Sequence, residues 1–394
     1  MLRRLLLLAS AIVFIDAMFF AAIVPLLPQF ADEFDLSKTG AGILAAAYPA
    51  GTLIGSLPGG WLAARLGVRA TVVVGLTLLI TSSIAFAFAD SIVVLDIARF
   101  VQGLGSAASW AGALGWLVGA APRERRGELI GSAMGAAIVG ALLGPVLGAA
   151  AAGLGTEIVF TAVGAVAGGL LVWALLTPAT QPPPQTPMRK VLAGLSDPRI
   201  ATGMWIVILV GLMFGTLDVL APLRLDELGA SAAGIGATFV ASGALEATMS
   251  PYFGRLSDRH GRVLPCLVGL GASGLAIALL PWPAALALLV PLLVLTGPSI
   301  GILWTPSMAM ISDGADGIGI DQGYAVALIN LAWSTGQTLG AAGGARLGQA
   351  YGDALPYLLL SAGCAVTFAA LTRPRAATAL AERQAAPASS GAAP

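Results

Sequence analysis

Twelve apolar runs, each near twenty residues long and parted by short polar loops, dominate the sequence. At about 1.5 Å of rise per helical residue, such a run crosses a hydrocarbon core about 30 Å thick. The runs fall at 5–27, 40–62, 70–89, 92–121, 129–154 and 158–176, then at 200–222, 232–253, 263–280, 284–311, 324–347 and 354–371. An all-α membrane protein of twelve transmembrane helices is expected.

Composition excludes the soluble classes. Hydrophobic residues make up 57% of the chain and charged residues 10%, against about 25% charged in soluble domains. Formal net charge is zero, so nothing points to a nucleic-acid partner, and only the placement of charge informs. Cys266 and Cys364 lie inside separate apolar runs and read as small buried hydrophobes, neither a disulfide nor a metal site. The basic, apolar start looks like a signal peptide, but its run continues to Pro28 without an Ala-x-Ala-like cleavage site, so a retained first span is expected. HExxH, GxSxG, CxxC and Walker motifs are absent from the sequence, so neither an enzyme nor a bound cofactor is expected.

Charge placement sets orientation, because short loops rich in Lys and Arg stay cytoplasmic. Of the 20 Lys and Arg, sixteen fall on one side: Arg3, Arg4, Arg65, Arg69, Arg123, Arg125, Arg126, Arg189, Lys190, Arg199, Arg255, Arg259, Arg262, Arg373, Arg375 and Arg383. The opposite loops carry Lys38, Arg224 and Arg346 among acids such as Asp32, Glu33, Asp226, Glu227 and Asp353. An even number of spans then places both termini in the cytoplasm, with the chain in the cell membrane.

The halves repeat. GGWLAARLGVR and FGRLSDRHGR align at an offset of 194, putting Gly60 on Gly254, Arg65 on Arg259 and Gly67 on Gly261. Pro25 aligns with Pro222 at 197, and Gly140, Gly144 and Gly148 align with Gly336, Gly340 and Gly344 at 196. A duplicated bundle is expected, with an N-terminal half over 1–176, a proline-rich linker over 177–199, a C-terminal half over 200–372 and a disordered tail over 373–394.

Three motifs resemble the major facilitator superfamily. The loop after the second run resembles its G-x-L-x-D-R-x-G-R signature through Gly60, Arg65, Gly67 and Arg69. The loop after the eighth repeats it intact as GRLSDRHGR, with Gly254, Asp258, Arg259, Gly261 and Arg262. LDIARFVQGLGSAA in the fourth run resembles the R-x-x-Q-G-x-G pattern, whose arginine the family links to proton transfer. GALLGPVLGA in the fifth resembles the G-x-x-x-G-P-x-x-G-G signature of drug/proton antiporters through Gly140, Gly144, Pro145 and Gly148, with Ala149 replacing its last glycine. The resemblance implies two six-helix bundles, with the loop signatures acting as cytoplasmic latches. Ala64 stands where the first signature has Asp, so latch control is expected to be asymmetric.

A charge at the bilayer centre costs about 2.5–3.5 kcal/mol by insertion scales, which makes each one a functional candidate. Asp16 and Arg99 lie at comparable depths in the first and fourth runs, and a facing pair is expected. Glu246 sits among Ala, Leu and Met, and Asp16, Glu246 and Arg99 are the proton-coupling candidates. Against this, Arg99 with Asp96 at i, i+3 is a possible static ion pair, Asp16 a structural partner of Arg99, and Glu246 a helix-contact residue. Asp218, about 27 Å into the seventh run, is expected at the interface.

Arg99, Gln102, Gly103 and Ser106 form one helical stripe, and Asn330, Trp333, Ser334 and Gln337 form another. Phe20, Gln102, Ser106, Asn330, Trp333 and Gln337 are therefore cavity candidates. Phe19, Met213, Phe214 and Trp304 are apolar ones, each read singly as packing. With the resemblance, these features imply a proton-driven exporter of lipophilic or cationic small molecules, monomeric, with protons and the lipid bilayer as its other partners. A metabolite uniporter or symporter, or a non-transporting membrane sensor, is the alternative.

Overall fold

The computed structural model describes residues 2–122, 125–179, 194–320 and 322–373, without the side chains at 126, 127, 258, 322 and 323. Most of the expected linker, and the expected tail beyond Arg373, lie outside the described residues.

Among the described residues, twelve helical rods match the twelve apolar runs. The N-terminal six are α1 (Leu2–Glu33), α2 (Lys38–Leu66), α3 (Val68–Ala87), α4 (Ile92–Ala120), α5 (Arg126–Leu154) and α6 (Thr156–Leu176). The C-terminal six are α7 (Pro198–Glu227), α8 (Ala232–His260), α9 (Val263–Leu279), α10 (Leu286–Gly317), α11 (Gln322–Tyr351) and α12 (Ala354–Leu371). Among the described residues, nine of these are individually long and apolar enough to span a membrane. Of the others, α9 has 17 residues, while α8 and α11 carry the polar and charged side chains that lower their hydropathy.

One rod is broken. Pro25 has no N–H for the carbonyl of Ala21, and its ring crowds that carbonyl, so the ladder is interrupted. Accordingly α1 parts at Ala22 into Leu2–Ala21 and Ile23–Glu33.

The duplication is visible at both ends of α2 and α8. Ser37 caps α2 by accepting from Gly40 N–H at 3.2 Å, and Ser231 caps α8 by accepting from Gly234 N–H at 3.2 Å. The same two helices end at glycines of positive φ, Gly67 at 86° and Gly261 at 76°, a conformation that a side chain disfavours. The glycines of the loop signatures are thus turn requirements.

Glycine faces bring rods into backbone contact. On α5, a Cβ at Gly144 would stand 2.7 Å from Met18 O, and one at Gly148 would stand 2.7 Å from Pro25 Cγ, so α5 seats α1 on both sides of its break. On α11, a Cβ at Gly340 would stand 2.9 Å from Leu212 Cα, and one at Gly344 would stand 2.7 Å from Thr216 Oγ1. Hence α11 lies on α7 as α5 lies on α1. Helix α5 runs through Pro145 without interruption, and a Cβ on Gly236 of α8 would be 2.9 Å from the Pro145 carbonyl oxygen.

The halves also meet where α2 crosses α11. A Cβ at Gly42 would lie 2.7 Å from the Ala341 carbonyl oxygen. Lys38 Nζ binds Asp353 at 2.7 Å and approaches Glu227 at 3.6 Å. Thr39 N–H donates to Gln349 Oε1 at 2.9 Å. These ties join the halves at the end of the bundle that bears the acidic loops.

Candidate functional site

The break in α1 creates the demand that Arg99 meets. Carbonyls around a helix interruption lose their regular donors, and the guanidinium of Arg99 on α4 donates to Phe20 O at 3.2 Å and to Phe19 O at 3.5 Å. It also donates to Gln102 Oε1 at 2.8 Å and lies over the Tyr48 ring at 5.2 Å and the Phe20 ring at 5.8 Å. Arg99 is 1% exposed, so these donor and ring contacts replace the water it has lost.

Asp16, one turn before the break and also 1% exposed, is held by a different set. Its Oδ2 accepts from Ser106 Oγ at 2.6 Å, Trp110 Nε1 at 2.8 Å and Tyr48 Oη at 3.0 Å. Tyr48 Oη also lies 2.7 Å from Ser106 Oγ. Asp16 Oδ1 has no partner. Asp16 and Arg99 interact electrostatically, but the expected face-to-face ion pair is not made: the hydrogen bonds of each go to other groups, and the Tyr48 ring stands against the guanidinium. The Asp96–Arg99 pair is not formed either, because Asp96 Oδ1 is buried without a partner.

The sequence puts Asp218 near the end of its run, at the interface; α7 continues through Pro222 to Glu227, nine residues beyond it. Its Oδ2 accepts from Gln337 Nε2 at 2.7 Å, and its charge interacts with Arg99 across the boundary between the halves. Depth along a run gave no indication of this, because the facing of α7 is decided by packing.

Glu246 lies where α8 crosses α10: a Cβ at Gly301 would stand 2.8 Å from Glu246 Oε1. Nothing in its electrostatic surroundings links it to Asp16 or Arg99. Among the aromatic candidates, Phe20 stacks on Tyr48 with ring centroids 4.6 Å apart, beside the Asp16 and Arg99 clusters. Trp333 touches Phe214 at 5.8 Å and Trp304 at 5.4 Å, giving the C-terminal half its own aromatic group. Phe19 instead joins Phe86 and Phe160 at 5.8 and 5.0 Å, and fully buried Met213 lies against Cys364; both are packing residues. Asn330 is half-buried, and Ser334 is buried without a partner for its hydroxyl.

The two loop signatures are built unequally. Arg262 reaches Asp313 at 3.3 Å and Ser257 at 3.1 Å, tying the end of α8 to the end of α10. Arg69 instead donates to the Leu175 carbonyl at the end of α6, where a cation suits the helix C-terminus. Arg65 lies over the exposed Trp61 ring at 5.1 Å, and Arg259 is exposed. Gly60 and Gly254 face open space. The Asp258 side chain lies outside the described residues.

Residues 9–223 and 203–392 each match the family model described as Major Facilitator Superfamily. Over 313 residues the chain is 26% identical to the Synaptic vesicular amine transporter of Homo sapiens, covering 77% of this chain and 60% of that one. Over 109 residues it is 28% identical to Quinolone resistance protein NorA of Staphylococcus aureus (strain MRSA252), covering 28% of each. The chain thus spans less than two thirds of the length of either relative. A solved bacterial homologue of the human lysosomal transporter Spinster superposes with a TM-score of 0.78 at 15% identity, covering 97% of this chain and 98% of that one.

Proposed function

The chain belongs to the Major Facilitator Superfamily, and from that membership we propose that it is a proton-coupled exporter of lipophilic or cationic compounds working by alternating access. The two halves, 1–176 and 200–372, rock about a site between them and open it to each side in turn. In this reading the arginine-rich end is cytoplasmic, both termini lie there, and the protein sits in the cell membrane. The Lys38–Asp353 end is then the closed external gate. A monomer is the proposed working unit.

The observation that carries the proposal is the state of Asp16. A buried carboxylate with three donors on one oxygen and none on the other has a position ready for a proton or a substrate cation. The aromatic rings of Phe20, Tyr48 and Trp110 beside it suit a cation with apolar surface. Competition of proton and substrate for one carboxylate gives exchange: protonation releases the cation, and deprotonation readmits one. Glu246 is the second proposed proton site, separate in space, and Arg99 the group that keeps the broken α1 and the Asp16 region in register.

Proteoliposomes containing the purified protein, an imposed proton gradient and ethidium as probe test this. Asp16→Asn is expected to abolish gradient-driven accumulation and leave ethidium exchange in place; Glu246→Gln is expected to reduce the driven component. Undiminished gradient-driven accumulation in both variants removes the carboxylates from coupling. Proton flux in the same direction as ethidium favours a symporter instead.

A further inference from the structure

Glu246 is the middle residue of α8, with fourteen residues on either side of it. It is half-buried there, and among the described residues no hydrogen bond or ion pair holds its carboxyl. The helices packed against α8 are chiefly α10, α5, α9, α7 and the second part of α1, and none of their described charged groups acts on Glu246. Asp16 is placed by three donors and Asp218 by one. Glu246, without polar partners, is placed by shape.

That shape is supplied by α10. A Cβ at Gly301 would stand 2.6 Å from Glu246 Cγ, 2.8 Å from Oε1 and 2.9 Å from Cδ, so its three nearest atoms all belong to this one side chain. Other close glycines serve the main chain: the three atoms nearest a Cβ at Gly211, and at Gly336, are all backbone. One turn earlier on α10, a Cβ at Gly297 would meet Ser242, itself one turn before Glu246, and Ser242 Oγ donates to Leu293 O at 3.2 Å. Helices α8 and α10 thus run in step past Glu246. Because the first clash at 301 falls on Cγ, moving the far end of the glutamate does not relieve it. The side chain has to turn about χ1, where a helix leaves only two wells in common use, so a methyl group at 301 sends the whole carboxyl elsewhere.

We propose that Gly301 is the positioning residue of Glu246: its missing side chain leaves the seat on α10 in which the glutamate stem and carboxyl lie, and so fixes that carboxyl at the middle of the bundle. This inference rests on the proposed function, in which Glu246 is the second proton site. Gly301 itself touches neither proton nor substrate. It acts through the rotamer of Glu246.

The test is a double-mutant cycle on the purified full chain in proteoliposomes, with an imposed proton gradient and ethidium as probe. Gly301→Ala is expected to lower the initial rate of gradient-driven accumulation about tenfold, to the level of Glu246→Gln, within the loss that misplacing a reacting group by an ångström can cause. In the Glu246→Gln background the amide keeps the shape of the carboxyl but cannot ionise, so adding Gly301→Ala is expected to change the rate less than about twofold. Gly269→Ala, whose Cβ would crowd Leu303 of the same helix at 2.7 Å, is the packing control and is expected to stay within about twofold of wild type. A wild-type rate in Gly301→Ala beside an impaired Glu246→Gln, an equal loss in both backgrounds, or a comparable loss in Gly269→Ala overturns the positioning role and leaves Glu246 as the proton site. If Gly301→Ala does not fold, Gly301→Ala with Glu246→Ala, which empties the seat, decides: recovered folding supports the seat, and persistent misfolding overturns it. An undiminished rate in Glu246→Gln removes the proton site, and the positioning role with it.

Discussion

Replacing Gly144 with alanine adds one methyl group at the middle of the three close α1–α5 contacts. Its Cβ would stand 2.7 Å from Met18 O and 3.0 Å from Ala21 C, both backbone atoms. Ordinary contact begins at 3.4 Å and Ala21 Cβ stands nearer still, so relieving the Met18 contact alone needs 0.7 Å, the difference between 3.4 and 2.7. Overpacking of this kind costs about 1–3 kcal/mol, well above the roughly 0.5–1 kcal/mol that alanine gains over glycine inside a helix. Gly153 of the same helix supplies the control, since a Cβ there meets nothing within 4 Å. Scanning fluorimetry of the detergent-solubilised protein should therefore show Gly144→Ala melting several degrees below wild type and Gly153→Ala melting level with it or slightly higher. The displacement also moves Asp16, two residues from Met18, relative to its donors on α2 and α4, so gradient-driven transport should fall even where the protein remains folded. Equal melting of the two variants would refute the idea that the glycine signature exists to seat α1.

The closed end of the bundle supports another expectation. Lys38→Met removes a partly exposed pair with Asp353, which is worth about 0.5–1 kcal/mol, roughly two- to fivefold in the ratio of closed to open molecules. A thiol reagent should label Ala45→Cys, buried on α2 seven residues beyond Lys38, faster by that factor in the Lys38→Met background; an unchanged rate would exclude the pair as a gate. Arg99→Lys keeps the charge but lacks the planar fork that reaches Phe20 O and Gln102 together. At least a tenfold loss of transport is expected with near-normal expression, and full activity in this variant would show that charge alone suffices.

Much of the architecture was legible in the chain because it follows from one-dimensional requirements. Apolar length fixed the rods, and the turns after α2 and α8 account for the signature glycines Gly67 and Gly261; the break in α1 ahead of Pro25 came only with the structure. The offset of the two halves aligned the glycines that the structure shows seating α5 on α1 and α11 on α7. Gln102 and Ser106 were marked by their spacing from Arg99, and the structure places them on Arg99 and Asp16 respectively.

The partners were not legible. Arg99 faces neither Asp96 at i, i+3 nor Asp16 directly; it serves carbonyls of a helix nearly eighty residues away and interacts with Asp218 in the other half. A spanning helix is apolar on nearly every side, so the pattern that reveals the inward face of a soluble helix is weak here, and its rotation is decided by which small residues let which neighbours approach. The sequence by itself determined the rods, their ends and their duplication, since these depend on length, on backbone sterics and on missing donors. Only the tertiary structure decided that Tyr48, Ser106 and Trp110 share one oxygen of Asp16 and that Gln337 holds Asp218, because hydrogen bonds across helices depend on azimuth and depth together.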